Sequence, residues 1–117
     1  IYVVEVDDKT IAVYALYQVD EYTAEIKAIA VDEAFQNRGI GKLMLKDAET
    51  KAQEKGCCEL IIGTPTIAKK QLDIYRKVGF EWFDVKKNFF ITHYSEPIFE
   101  DGIQLTDMAM LRKVIAG

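Results

Sequence analysis

Gly39 and Gly41 constrain this chain more than any other feature. They follow an apolar run, Ala24 to Val31, and open a helical pattern that begins near Gly39. A strand that breaks into two close glycines and then a helix exposes backbone N–H groups at a helix N-terminus. Those first-turn donors lack partners, and the helix dipole favours negative charge there. A glycine lets an anion approach the backbone where a Cβ would keep it away. The stretch Gln36-Asn37-Arg38-Gly39-Ile40-Gly41 therefore predicts a site for a phosphate or pyrophosphate.

Three phosphate-loop patterns compete for it. A dinucleotide fingerprint needs a third glycine where Met44 stands, and an acidic residue after the next strand, which reads Glu59-Leu60-Ile61-Ile62-Gly63-Thr64. A Walker loop needs a glycine at Gln36 and a hydroxyl at Leu43, around Gly41-Lys42. Both fail. The third pattern, Gln/Arg-x-x-Gly-x-Gly/Ala after a strand, fits Gln36, Gly39 and Gly41.

Ile1 to Val6 and Thr10 to Val19 read as a hairpin around the turn signal Asp7-Asp8-Lys9. The second of these strands is apolar on both alternating faces and should be central. In the third strand, Ala24 to Val31, strict alternation puts Ile26, Ala28 and Ala30 on one face. Glu25, Lys27, Ile29 and Val31 then share the other. A helix over about 39–55 follows, with an expected apolar stripe of Ile40, Leu43, Met44, Ala48 and Ala52 and a solvent-side pair Asp47–Lys51. Leu60 to Ile62 reads as a short buried strand, and Thr64-Pro65-Thr66 as a break. A second helix is expected over about 67–78, stopped by Gly79, then strands over 80–90 and 107–115. The segment between those strands, about 91–106, is longer than a simple hairpin needs, and is expected either to shape the substrate pocket or to be a decorated loop. The predicted class is α+β: a mixed, mostly antiparallel sheet with helices packed on it, in the order β-β-β-α-β-α-β-β.

That order, together with Gln36, Gly39 and Gly41, resembles the GCN5-related N-acetyltransferase family from its second strand to its end. A second match is Leu72-Asp73-Ile74-Tyr75-Arg76-Lys77-Val78-Gly79-Phe80, similar to the family's Leu-x-x-Tyr-x-x-x-Gly-Phe element. The resemblance implies the acyl-CoA N-acyltransferase fold, with acetyl-CoA as co-substrate and no metal. It implies cofactor contacts from Gln36, Asn37, Arg38, Gly39, Ile40, Gly41 and Lys42. Backbone groups of Ile29, Ala30 and Val31 would meet the pantetheine arm, which can pair like an added strand. Tyr75 would protonate the departing thiolate, and Glu25 would deprotonate the amine directly or through water. Ala68 stands where many members carry an asparagine that also contacts the cofactor. Members usually begin with one more strand and one or two helices, so an N-terminal piece of a single domain, 1–117, is expected to be missing here.

The rest of the composition narrows the partners. The 117 residues carry a net charge of −4, with Lys and Arg spread rather than clustered, so no nucleic-acid footprint is present. No apolar run approaches the roughly 18 residues of a membrane span. Adjacent Cys57 and Cys58 suit neither a zinc site nor a disulfide framework, and point to reduced thiols in the cytoplasm. Acids at Glu21, Glu25, Glu96, Glu100 and Asp101 favour a small cationic amine over a protein N-terminus as acceptor. His93, the only histidine, is a candidate base, but its place in the late insertion reads rather as a surface or structural histidine. Edge strands of such a sheet could pair two subunits into a homodimer. The competing reading from another class is a non-catalytic acyl-CoA-binding or interaction module on the same fold; a nucleotide-binding regulator is the third.

Overall fold

The computed structural model describes residues 2–36 and 38–115; Ile1, Asn37, Ala116 and Gly117 lie outside the described residues. The chain divides into two compact units, Ile1–Ile61 with Lys113–Gly117, and Ile62–Arg112.

The first unit opens with β1 (Tyr2–Val6) and β2 (Lys9–Gln18), an antiparallel hairpin closed by Asp7 and Asp8. Both aspartates have positive φ, 51° and 65°, as a two-residue turn matched to strand twist requires. In β2, Ile11, Ala12, Tyr14 and Ala15 are all buried, so its middle is covered on both faces, whereas Tyr17 near its end is exposed. Antiparallel to β2 lies β3 (Thr23–Val31). Helix α1 (Ile40–Glu54) follows a short 3₁₀ turn, and β4 (Glu59–Pro65) starts beside the β2–β3 connection. There the Tyr22 carbonyl accepts from the amides of Cys58 and Glu59.

Strict alternation along β3 does not hold. Ala15 pairs with Ala28 but Leu16 with Ile26, so Lys27 has no partner and the strand bulges. Paired residues share a face, so Ile26 lies with Ile29 and Val31, and Glu25 lies with Ala28 and Ala30. This reverses the expected partition beyond the bulge.

The expected stripe of α1 also shifts. Its buried residues are Met44, Leu45, Ala48 and Ala52, while Leu43 is 68% exposed. At 100° per residue Leu43 stands about 140° round the helix from Ala48, and Leu45 takes its place. Asp47 and Lys51 are not a plain solvent pair either. The buried Tyr14 hydroxyl donates to Asp47, Lys51 Nζ lies 3.0 Å from the same carboxylate, and it sits 4.7 Å from the Tyr2 ring centre.

The second unit holds the rest of β4, then α2 (Lys69–Lys77), β5 (Glu81–Lys86) and most of β8 (Met108–Val114), with strand order β4-β8-β5. β5 and β8 are antiparallel. β4 continues through Gly63 to Pro65 rather than ending at Ile62; a Cβ at Gly63 would stand 2.5 Å from the Met108 sulfur. The expected strand over 80–90 stops at Lys86. Asn88, at φ 56°, instead starts α3 (Phe89–Thr92), with its amide donating to Asp107 Oδ1 at 2.9 Å. The 91–106 segment is more than loop: β6 (Phe99–Glu100) and β7 (Ile103–Gln104) form a small hairpin around Asp101-Gly102, both at positive φ. None of the described helices is long and apolar enough to cross a membrane.

Candidate active site

The glycine stretch is built from the end of β3 outward. Asp32 accepts from the Ala34 amide through Oδ1, capping the turn Glu33–Phe35. Gln36 then ties the loop back: its side-chain amide donates to the Val31 carbonyl at 3.2 Å, and its backbone N–H to Glu33 O at 3.4 Å. Gln36 therefore holds the loop shape through its side chain. Asn37 lies outside the described residues. Arg38 is exposed, with its guanidinium carbon 5.4 Å from the Phe35 ring centre.

Gly39 is the N-cap of α1 at φ 79°, a left-handed conformation that L side chains resist. The first intrahelical bond runs from Leu43 N to Gly39 O, 3.1 Å. The amides of Ile40, Gly41 and Lys42 precede it and have no intrahelical acceptor. Among the described residues no side chain caps this end, and its first turn carries no acidic residue. Gly41 lies seven residues, close to two full turns, before the buried Ala48, so it points to the same side of the helix. Yet nothing stands within 4 Å of where its Cβ would be. An inward-facing position is thus open beside amides with no intrahelical acceptor, an arrangement that can accept an anion.

Ile29, Ala30 and Val31 pair with Tyr14, Val13 and Ala12 of β2. The Val31 carbonyl is already engaged by Gln36. Glu25 lies on the same strand, before the bulge. Its side chain is only 12% exposed, and Lys27 Nζ lies 3.3 Å from its carboxylate. The loop, Ile29–Val31 and Glu25 all belong to the first unit.

Tyr75 belongs to the second. It is 6% exposed on the inner side of α2, with its ring centre 6.1 Å from that of Phe80. The Phe80 amide donates to the Tyr75 carbonyl at 2.9 Å, fixing the helix end just past Gly79. Burial pushes the phenol up to about 12. Ala68, buried at the N-cap of α2, supplies no side-chain cap. His93 is exposed, stacked on Phe89 at 4.3 Å with Nδ1 3.0 Å from the Phe89 carbonyl oxygen, which makes it a surface residue. Glu96, Glu100 and Asp101 are exposed around the β6–β7 hairpin, whereas Glu21 and Glu25 lie in the first unit. Cys57 is buried and Cys58 exposed, and both are free thiols. Among the described residues no cluster of three or more His, Cys, Asp or Glu could hold a metal ion.

Two features escaped the sequence reading. The Phe35–Arg38 contact joins the last residue of the turn Glu33–Phe35 to a residue beyond that turn, where no regular period gives a signal. The Tyr14–Asp47 bond joins positions 33 residues apart and has no local signal.

Comparison with known proteins bears on the whole arrangement. Residues 1–82 match the family described as "Acetyltransferase (GNAT) domain". The uncharacterized N-acetyltransferase YvbK of Bacillus subtilis (strain 168) is 41% identical over 104 residues, which are 89% of this chain and 67% of that protein. The ribosomal protein bS18-alanine N-acetyltransferase of Salmonella typhimurium (strain LT2) is 27% identical over 85 residues, 73% of this chain and 57% of that one. A crystal structure of a GNAT family acetyltransferase from Elizabethkingia anophelis with acetyl-CoA bound matches with a TM-score of 0.91 at 46% identity. It covers 96% of this chain and 73% of its own. The mixed, mostly antiparallel sheet with three helices is the fold of that structure.

Proposed function

Because this chain belongs to the GNAT family of acetyltransferases, we propose that it moves the acetyl group of acetyl-CoA onto a primary amine by direct attack. The observation that carries the reading is Gly41. Its inward side is open beside amides with no intrahelical acceptor, and neither space nor backbone conformation requires glycine there. The Elizabethkingia anophelis relative, at 46% identity, has acetyl-CoA bound. In this reading the amides of Ile40, Gly41 and Lys42 hold the pyrophosphate, with Arg38 adding charge. The backbone of Ile29, Ala30 and Val31 grips the pantetheine arm.

The chemical roles follow. Glu25 takes the proton from the ammonium, directly or through water, so that the free amine attacks the thioester carbonyl. Tyr75 donates to the sulfur as the C–S bond breaks, and the products are an amide and free CoA thiol. Much of the rate comes from holding amine and thioester together. For the acceptor we favour a small cationic amine, drawn by the exposed Glu96, Glu100 and Asp101. Free Cys57 and Cys58 fit a reducing compartment, so we place the reaction in the cytoplasm.

The test is calorimetric titration with acetyl-CoA, followed by a screen of small amines and of peptide N-termini for free-thiol release. Binding together with amine-dependent release is expected. Binding without release from any amine would favour the acyl-CoA-binding module, and no binding would refute the proposal. Release with peptide N-termini only, an outcome the bS18-alanine relative keeps in view, would overturn the small-amine reading.

A further inference from the structure

Arg38 stands one residue before Gly39, on the approach to the bare amides of α1, and among the described residues it enters no ion pair. What it does touch is Phe35, whose ring centre lies 5.4 Å from the guanidinium carbon. The backbone that carries that ring is held on both sides. Asp32 caps the turn that Phe35 closes, and Gln36, the next residue, is tied to the Val31 carbonyl. Phe35 is half-buried, so a partly packed aromatic ring on a tied turn lies against a cation with no ion-pair partner among the described residues.

We propose that Phe35 is a positioning residue for acetyl-CoA, its ring holding the Arg38 guanidinium ready for a phosphate oxygen. The inference rests on the proposed function. A guanidinium is drawn to the negative face of an aromatic ring within about 6 Å. Contact with one ring leaves most of its five N–H donors for an anion. A free arginine would lose much rotamer freedom on binding, and one already resting on Phe35 loses less, so part of the ordering is done before the ligand arrives. Phe35 acts through Arg38 and need not touch the cofactor.

The experiment is a double-mutant cycle on the full chain, with acetyl-CoA affinity read by calorimetry at low and high salt. Phe35→Leu keeps apolar volume and removes the ring face. It should weaken binding by roughly two- to fivefold and raise KM for acetyl-CoA more than it lowers kcat. Phe35→Tyr should restore most of the loss. In an Arg38→Ala background the Leu change should add no further loss, and the salt dependence should already be flattened. An equal loss with and without Arg38, or no rescue by Tyr, would make Phe35 a packing residue only and overturn the inference. Melting temperatures are read alongside, and Phe35→Met replaces the Leu variant where Leu lowers them. A wild type that binds no acetyl-CoA overturns the proposed function and this inference together. A wild type that binds, with the Leu variant unchanged, overturns this inference alone.

Discussion

Tyr75 shows how one residue's surroundings reshape the role its position suggests. An ordinary phenol titrates near 10, but burial pushes this one up to about 12, so it is fully protonated at neutral pH. The same shift makes it a weaker acid. A thiol of ordinary pKa near 8.5 leaves as a thiolate too weakly basic to take the proton outright from such a phenol. In the proposed reaction Tyr75 is therefore better suited to donate a hydrogen bond to the sulfur as charge develops, with the proton completing its move only in the course of the step. That argues for the low end of general-acid effects. Tyr75→Phe removes one oxygen and almost no packing volume. It should lower kcat by about 10²-fold and change acetyl-CoA affinity by less than about threefold. Steady-state kinetics with a fixed amine checks this, and turnover within a factor of two of wild type would leave Tyr75 as packing beside Phe80.

At the scale of elements, local chemistry was legible and partner-dependent geometry was not. Gly39, Gly41 and the helical pattern after them are contiguous, so the loop and the start of α1 could be read directly. Asp7-Asp8 was a turn signal for the same reason. The bulge at Lys27 arises from the register between β2 and β3, which no single strand encodes, so the two faces of β3 were misassigned beyond it. α3 spans four residues and β6 and β7 two each, too short for a period to show. Leu43 was misplaced because steps of three and four drift off one face when a step of one intervenes. Gly41 separates the two kinds of constraint within α1. Its Cβ would meet nothing within 4 Å, and its φ is not in the left-handed region, so the fold does not need glycine there. Gly41→Ala should therefore raise stability, by up to about 1 kcal/mol, through helix propensity. It should also weaken acetyl-CoA binding, because the methyl group enters the open side beside the first amides of α1. Denaturant melts paired with calorimetry decide it. A variant that loses stability, or that gains it with binding intact, would show that the open side of Gly41 is not a ligand site.

Across the whole molecule, two buried phenols set how stability answers to pH, one in each compact unit. Tyr14 is raised by burial first, then by the hydrogen bond and charge of Asp47; Tyr75 is raised by burial alone. Asp47 is held below the usual carboxylate range, chiefly by the Tyr14 hydroxyl, with Lys51 assisting. Its stabilisation is present above the unfolded carboxylate pKa and lost as pH falls through the folded one. With that side chain 46% exposed, the acid-side loss is modest. The alkaline side is different. A tyrosine raised on folding contributes no penalty while both states are neutral, so its stability is fully present below pH 10. Above pH 10 the unfolded chain ionises while the folded one resists, and stability falls until pH passes the folded value. For Tyr75 the loss approaches about 3 kcal/mol above pH 12, with about 2 kcal/mol of it between pH 10 and 12. Lysines deprotonate over the same range and Tyr14 adds its own loss, so the wild-type curve alone does not isolate Tyr75. The difference from Tyr75→Phe does, because both proteins share every other group. Guanidinium unfolding from pH 8 to pH 12 should show the Phe variant gaining roughly 2 kcal/mol on the wild type across that span. A gap that stays constant with pH would mean that the Tyr75 hydroxyl reaches water in the folded state, and that its burial does not govern its ionisation.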